Sequence, residues 1–144
     1  MKMMQMARAT VLAVLGCASA AAAQDDDLGA AVLIELNAAK TNEGSCTLSF
    51  LVLNGHAGQI DKAVYETVLF DAAGQVDRLT LFDFGTLPPG RPRVRQFTIP
   101  GAACDGFSRI LINGAHTCEA ADLADGACET GLLLKTRTEI EVIG

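Results

Sequence analysis

The chain has 144 residues and a formal net charge of −6, with 17 acidic residues against 11 lysines and arginines. This acidic balance, without a basic stripe, argues against a nucleic-acid partner and against an anionic membrane surface. The length is sufficient for one domain with a single hydrophobic core.

Residues 1–23 have the pattern of a secretory signal peptide. Lys2 and Arg8 precede an apolar stretch, and the alanine run 20–23 supplies small residues for cleavage. The apolar stretch is shorter than the roughly 20 residues that span a bilayer. An alternative is lipoprotein processing at Cys17, because residues 14–17 loosely resemble a lipobox. We expect a soluble periplasmic or secreted protein that contacts a membrane only if Cys17 is lipidated.

Residues 24–30 contain three consecutive aspartates and are predicted to form a disordered, solvated acidic segment. Strand signals dominate from residue 31 onward, as apolar and β-branched runs separated by Gly, Pro, Asn and Asp. The seven predicted strands are 31–37, 46–54, 59–71, 75–84, 94–99, 107–113 and 132–143.

The last predicted strand alternates most regularly, with apolar residues and threonines on one face and charged residues on the other. This period of two predicts a strand half buried in an antiparallel sheet. The only predicted helix is a turn or two at 119–125. Together, these elements predict an all-β, seven-stranded antiparallel sandwich over residues 31–144, of the immunoglobulin or fibronectin III-like kind.

Three turn and strand-end motifs within residues 50–101 sharpen this fold prediction. They are Asn54 at a strand end, Leu69-Phe70-Asp71 before a turn at Gly74, and Leu87-Pro88-Pro89-Gly90 before another strand. The region resembles the FxLYD-like accessory domains of exported alphaproteobacterial proteins, with Phe70 in place of the tyrosine. The resemblance covers about half of the chain after the leader. It implies a β-sandwich and transfers no catalytic residue.

Four cysteines remain after the leader, and an even number in an exported domain predicts two disulfides. In such a sandwich, Cys46 and Cys104 fall at one end, while Cys118 and Cys128 share the loop after the sixth strand at the other. Only the pairing 46–104 with 118–128 avoids a bridge that would span the length of the domain. The second bridge would staple a long surface loop, either to shape a binding surface or to resist proteolysis.

The same end of the predicted sandwich gathers His56, Arg91, Arg93 and His116. The two histidines are weak candidates for a shared metal, or for an anion held with the arginines. A metal site needs further ligands that the spacing does not supply, so solvated loop histidines are the favoured interpretation. We predict no cofactor.

No pattern in the chain indicates an enzyme. No serine lies in a G-x-S-x-G turn, and no C-x-x-C is present. We therefore predict a non-enzymatic module that binds a protein partner or supports an envelope assembly, with the loops 55–58, 85–93 and 115–131 as its contact surface. The alternative is a periplasmic protein that binds a metal or small ligand through His56 and His116.

Overall fold

The computed structural model describes residues 28–144, so the predicted signal peptide, Cys17 and the aspartates of the acidic segment lie outside the described residues. A one-turn 3-10 helix (Cys104–Gly106) lies between the fifth and sixth strands. The eight strands are β1 (Val32–Asn42), β2 (Ser45–Asn54), β3 (Ile60–Asp71), β4 (Val76–Leu87), β5 (Arg93–Pro100), β6 (Phe107–Glu119), β7 (Leu133–Thr136) and β8 (Glu141–Ile143).

The strands form two four-stranded sheets, in the orders β5-β2-β1-β7 and β4-β3-β6-β8. The predicted β-sandwich is confirmed, but the prediction of seven antiparallel strands is wrong in two respects. There are eight strands, and each sheet contains one parallel pair, β1 with β7 and β6 with β8.

The core lies between the sheets and follows from strict alternation along the strands. On β2, every second residue from Cys46 to Asn54 is buried, because successive side chains of a strand point to opposite faces. Aromatic rings fill one side of the core, where Phe82 and Phe97 stack with their centroids 4.2 Å apart. Phe97 is on β5 and Phe82 on β4, so this stacking joins the two sheets.

The predicted last strand, 132–143, is two strands that lie in different sheets. The side-chain alternation is largely as predicted, but the chain leaves the first sheet after Thr136 and enters the second at Glu141. The hydroxyls of Thr136 and Thr138 accept hydrogen bonds from the backbone N–H groups two residues further on, at 3.0 and 3.1 Å. Such local bonds compete with a sheet ladder, which explains why the strand is interrupted here.

The predicted helix at 119–125 is also wrong. Residues 120–125 are turns and irregular backbone, with one bond from Leu123 N–H to the Ala120 carbonyl at 3.0 Å. Nucleation of a helix is costly, and this short segment between the end of β6 and a disulfide leaves no room for propagation.

Both predicted disulfides are confirmed, at opposite ends of the sandwich. Cys46–Cys104 has a Cα–Cα distance of 4.8 Å, and Cys118–Cys128 has one of 6.0 Å. The open side between the edge strands β4 and β5 is bridged by arginines. Arg95 donates to the carbonyls of Phe84 and Thr86, which lie on the β4 edge.

One ion pair fixes the crossing from β7 to β8. Arg137 Nε lies 2.8 Å from Glu35 Oε1, and the Arg137 N–H donates to the Leu36 carbonyl. Glu35 is only 7% exposed and also accepts a hydrogen bond from Asn37 Nδ2 at 3.0 Å. The Asn37 bond, followed by the charge and hydrogen bond of Arg137, lowers the pKa of Glu35 against the opposing effect of burial.

We therefore expect Glu35 to contribute stability that depends on acid pH. A carboxyl whose folded pKa is lowered stabilises the fold above its unfolded pKa, near 4.5, and loses this contribution as the pH falls through the folded value. Glu35→Gln should flatten the fall of stability below about pH 5. The measurement is urea unfolding at a series of pH values, with Glu139→Gln as an exposed control. An equal acid slope in wild type and Glu35→Gln would contradict the assignment.

Candidate functional site

Three loops meet at one end of the sandwich, as the sequence predicts: 55–59, 88–92 and 120–132. We call this the loop end. Its centre is Asn54, the last residue of β2, which is completely buried. Asn54 Nδ2 donates to the carbonyls of Gly58 and Leu87, both at 2.9 Å, and its Oδ1 accepts from the His56 N–H at 2.9 Å. One amide side chain therefore joins the first two loops.

The backbone completes this junction. The Gly90 N–H donates to the Asn54 carbonyl at 2.8 Å, which fixes the proline turn against β2. Gly55 lies against the residues that precede β1, and a Cβ placed on it would be only 2.3 Å from the Gly29 carbonyl oxygen. No side chain fits at that distance, so glycine is required at position 55 for close backbone approach.

The stapled loop, 120–132, is anchored to the core through its disulfide. Cys128 is 1% exposed, and its carbonyl accepts a hydrogen bond from the Tyr65 hydroxyl at 2.7 Å. Burial, and then the nearby carboxylate of Glu129, raise the pKa of Tyr65, so the phenol keeps the proton that it donates. The loop is thus held by a covalent bond and a buried hydrogen bond.

His56 contacts the stapled loop directly. Its Nε2 lies 2.7 Å from the Ala127 carbonyl oxygen. A carbonyl only accepts, so Nε2 carries a proton and donates here. This atom is therefore not available as a metal ligand, and His56 acts in this structure as a link between two loops.

His116 is placed differently from the prediction, because β6 extends to Glu119 and includes it in a strand rather than in a loop. It lines a polar depression with Glu66, Asn113 and Glu129, where the Glu129 carboxylate accepts from the Ala115 N–H at 2.7 Å.

The two histidines therefore face different surroundings. His56 lines a separate depression, together with Asp125 and Thr130. Within residues 28–144, no three His, Cys, Asp or Glu side chains are grouped so that they would hold a metal ion. The structure does not assemble the shared histidine site considered from the sequence.

The two arginine candidates flank the proline turn. Arg91 is exposed, and its N–H lies 3.5 Å from the Pro88 carbonyl oxygen. Arg93 begins β5, is half-buried and donates to the Pro92 carbonyl at 3.1 Å. Neither side chain forms an ion pair among the described residues.

Sequence reasoning did not identify the two residues that organise the loop end, Asn54 and Tyr65. Asn54 was noted only as the end of a strand. Its completely buried position follows from the alternation along β2, which is visible in the sequence. Tyr65 is the only tyrosine of the chain, but its partner, Cys128, is 63 residues away. That contact depends on how the stapled loop folds back.

Comparison with protein-family models, with curated proteins and with solved structures finds no match to this chain. Within residues 28–144, no helix has the length and apolar character needed to cross a membrane.

Proposed function

We propose that this chain is an exported, non-enzymatic β-sandwich module that binds a protein partner through its loop end. The observation that carries this proposal is the fixed geometry of the three loops. Asn54, His56 and Tyr65 hold loops that are distant in sequence through bonds of 2.7–2.9 Å. A surface that is ordered before binding loses less conformational entropy on association, so its contacts contribute more to affinity.

The compartment is part of the proposal. The two disulfides are consistent with an extracellular or periplasmic location, because thiols stay reduced in most cytosols. The pattern at 1–23 adds the route, a cleaved signal peptide with a soluble product. Lipidation at Cys17 is the alternative route.

The finer assignment of the fold, an immunoglobulin-like domain of the FxLYD-like kind, is also proposed. Two motifs that carry the resemblance are in contact, because Asn54 bonds to the Leu87 carbonyl and to the Gly90 N–H. The third motif shapes its own turn, where Asp71 Oδ1 accepts from the N–H groups of Ala73 and Gln75. These contacts support the proposal that the motifs determine the fold.

The chemistry of the loop end indicates the kind of partner. Arg91 and Arg93 are cations without an ion-pair partner among residues 28–144 of an acidic protein. Together with His116, they would favour an acidic surface on the partner. No observation favours the alternative, a metal or small-ligand function of the histidines.

The test is capture of the partner from cell-envelope extract of the native host, with chemical crosslinking and quantitative mass spectrometry. The variant is Arg91→Glu, and the matched control is Lys40→Glu, which makes the same charge change on an exposed β1 residue near the far end. We expect one protein to be enriched equally by wild type and Lys40→Glu, and to fall roughly fivefold to tenfold with Arg91→Glu. Equal recovery by both variants, or enrichment no greater than on an unrelated exported domain, would contradict the proposal.

A further inference from the structure

A continuous apolar row crosses the outer face of the sheet β4-β3-β6-β8. The cross-strand pairing places Leu79 beside Val68, Val68 beside Leu111 and Leu111 beside Ile143, so that each strand contributes one side chain. These residues point away from the core, which receives the alternate residues of the same strands. We call these four residues the apolar row.

The row widens at β4 into an exposed apolar patch. Val76 is 56% exposed, Leu79 63% and Leu81 48%. Five large hydrophobic residues are strongly exposed in the described part of the chain, and three of them are on this strand. Contiguous apolar surface of this kind on a folded domain is typical of interaction sites.

Charges of opposite sign lie on the two sides of the row. Arg109, paired with Glu141 at 2.5 Å, lies on the side toward the start of β6. Glu66 and Asp83 lie on the other side, on β3 and β4. A two-fold axis along the row would place the basic side of one copy over the acidic side of another. The face is therefore complementary in charge to itself, which a symmetric contact requires.

We propose that the occupant of this face is a second copy of the same chain, in a two-fold dimer with face-to-face sheet packing. The proposal goes beyond the loop-end function and does not depend on it. Sheets that pack in this way keep their strands within about 30° of each other. Addition at the β4 edge is less suitable, because Arg95 occupies the carbonyls of Phe84 and Thr86 there.

The outer face of the other sheet is less suitable. Val94 is 60% exposed and lies beside Leu51, but the next residues in that row are Glu35 and Lys135. Charged residues therefore interrupt its apolar surface, whereas the apolar row crosses all four strands without interruption.

The size of the face sets the expected affinity. Four strands at about 4.8 Å spacing and five residues at about 3.4 Å give a contact of roughly 19 by 17 Å. This is smaller than the standard interface of about 800 Å² per partner. We therefore expect a weak dimer, with a dissociation constant of roughly 10–300 μM.

The test is sedimentation velocity of the exported chain, residues 24–144 with both disulfides formed, between about 5 and 500 μM. Leu79→Lys is the variant and Val94→Lys is the matched control, since the two positions are exposed to 63% and 60%. We expect dimer formation by wild type and Val94→Lys, and at least tenfold weaker association of Leu79→Lys. A chain that stays monomeric at 500 μM would overturn the proposal, as would equal weakening by both variants.

A charge exchange tests the orientation. Arg109→Glu alone and Glu66→Arg alone should each weaken the dimer, and a mixture of the two should restore association between them. This pattern depends on the axis along the row and does not follow from nonspecific apolar contact. Failure of the mixture to associate better than either variant alone would overturn the two-fold arrangement.

Discussion

Replacing both Cys46 and Cys104 with alanine should lower the free energy of unfolding by about 4 kcal/mol. The bridge joins residues 58 apart, and a cross-link that closes a longer loop removes more conformational entropy from the unfolded chain. The loss is comparable with the whole stability of many small domains, which is about 5–15 kcal/mol. We expect the variant to be partly unfolded at physiological temperature.

The surroundings of this bridge favour alanine as the substitute. Cys46 is completely buried and Cys104 is 8% exposed, so serine would place hydroxyls in an apolar site. The Thr41 hydroxyl accepts from the Cys104 N–H at 2.9 Å and would still hold the segment after β5. Local structure at this end can therefore persist while global stability falls.

The control is the second disulfide, which joins residues only 10 apart. Replacing Cys118 and Cys128 with alanine should cost roughly 2.5–3 kcal/mol. Denaturant unfolding of the two variants under oxidising conditions measures both values. A cost for the first bridge no larger than that for the second would show that loop length does not determine its contribution.

Asn54→Ala should destabilise the protein by roughly 3 kcal/mol. The substitution leaves the buried carbonyls of Gly58 and Leu87 and the N–H of His56 without their partner. An unsatisfied buried polar group costs about 1–3 kcal/mol, because it has lost water without gaining a hydrogen bond. The loss should be concentrated at the loop end, whose first two loops depend on this amide.

Asn113→Ala is the matched control, because Asn113 is also followed by glycine but is exposed and bonds only to the exposed Glu66. We expect its effect to stay within about 0.5 kcal/mol. Denaturant unfolding gives the stabilities, and hydrogen exchange at the His56 and Gly90 amides reports on the junction itself. Similar stabilities of the two variants, or unchanged exchange at His56, would contradict the role of Asn54.

The fold class and the disulfide pairing could be predicted because both depend on local regularities. Strand alternation of period two shows which face is buried, and it held along β2 from Cys46 to Asn54. The order of loops in a sandwich then places four cysteines at two ends, and the structure pairs them accordingly.

The candidate site was predicted only in part. The three loops do share one end, as expected from the strand order, but His56 and His116 line different depressions. The separation follows from the length of β6, which continues through His116 to Glu119. Asn-Gly at 113–114 suggested that the strand ends there, whereas Gly114 accommodates an irregularity in the register with β3.

The sequence alone was sufficient to predict an all-β domain with two particular disulfides, because side-chain period and strand order are properties of the chain itself. Tertiary structure alone decided the remainder. The division of 132–143 depends on Glu35 and Arg137, which are 102 residues apart. The apolar row depends on the register of four strands, since Leu79, Val68, Leu111 and Ile143 are scattered in sequence. Contacts between distant residues carry no local pattern, so only the folded chain brings them together.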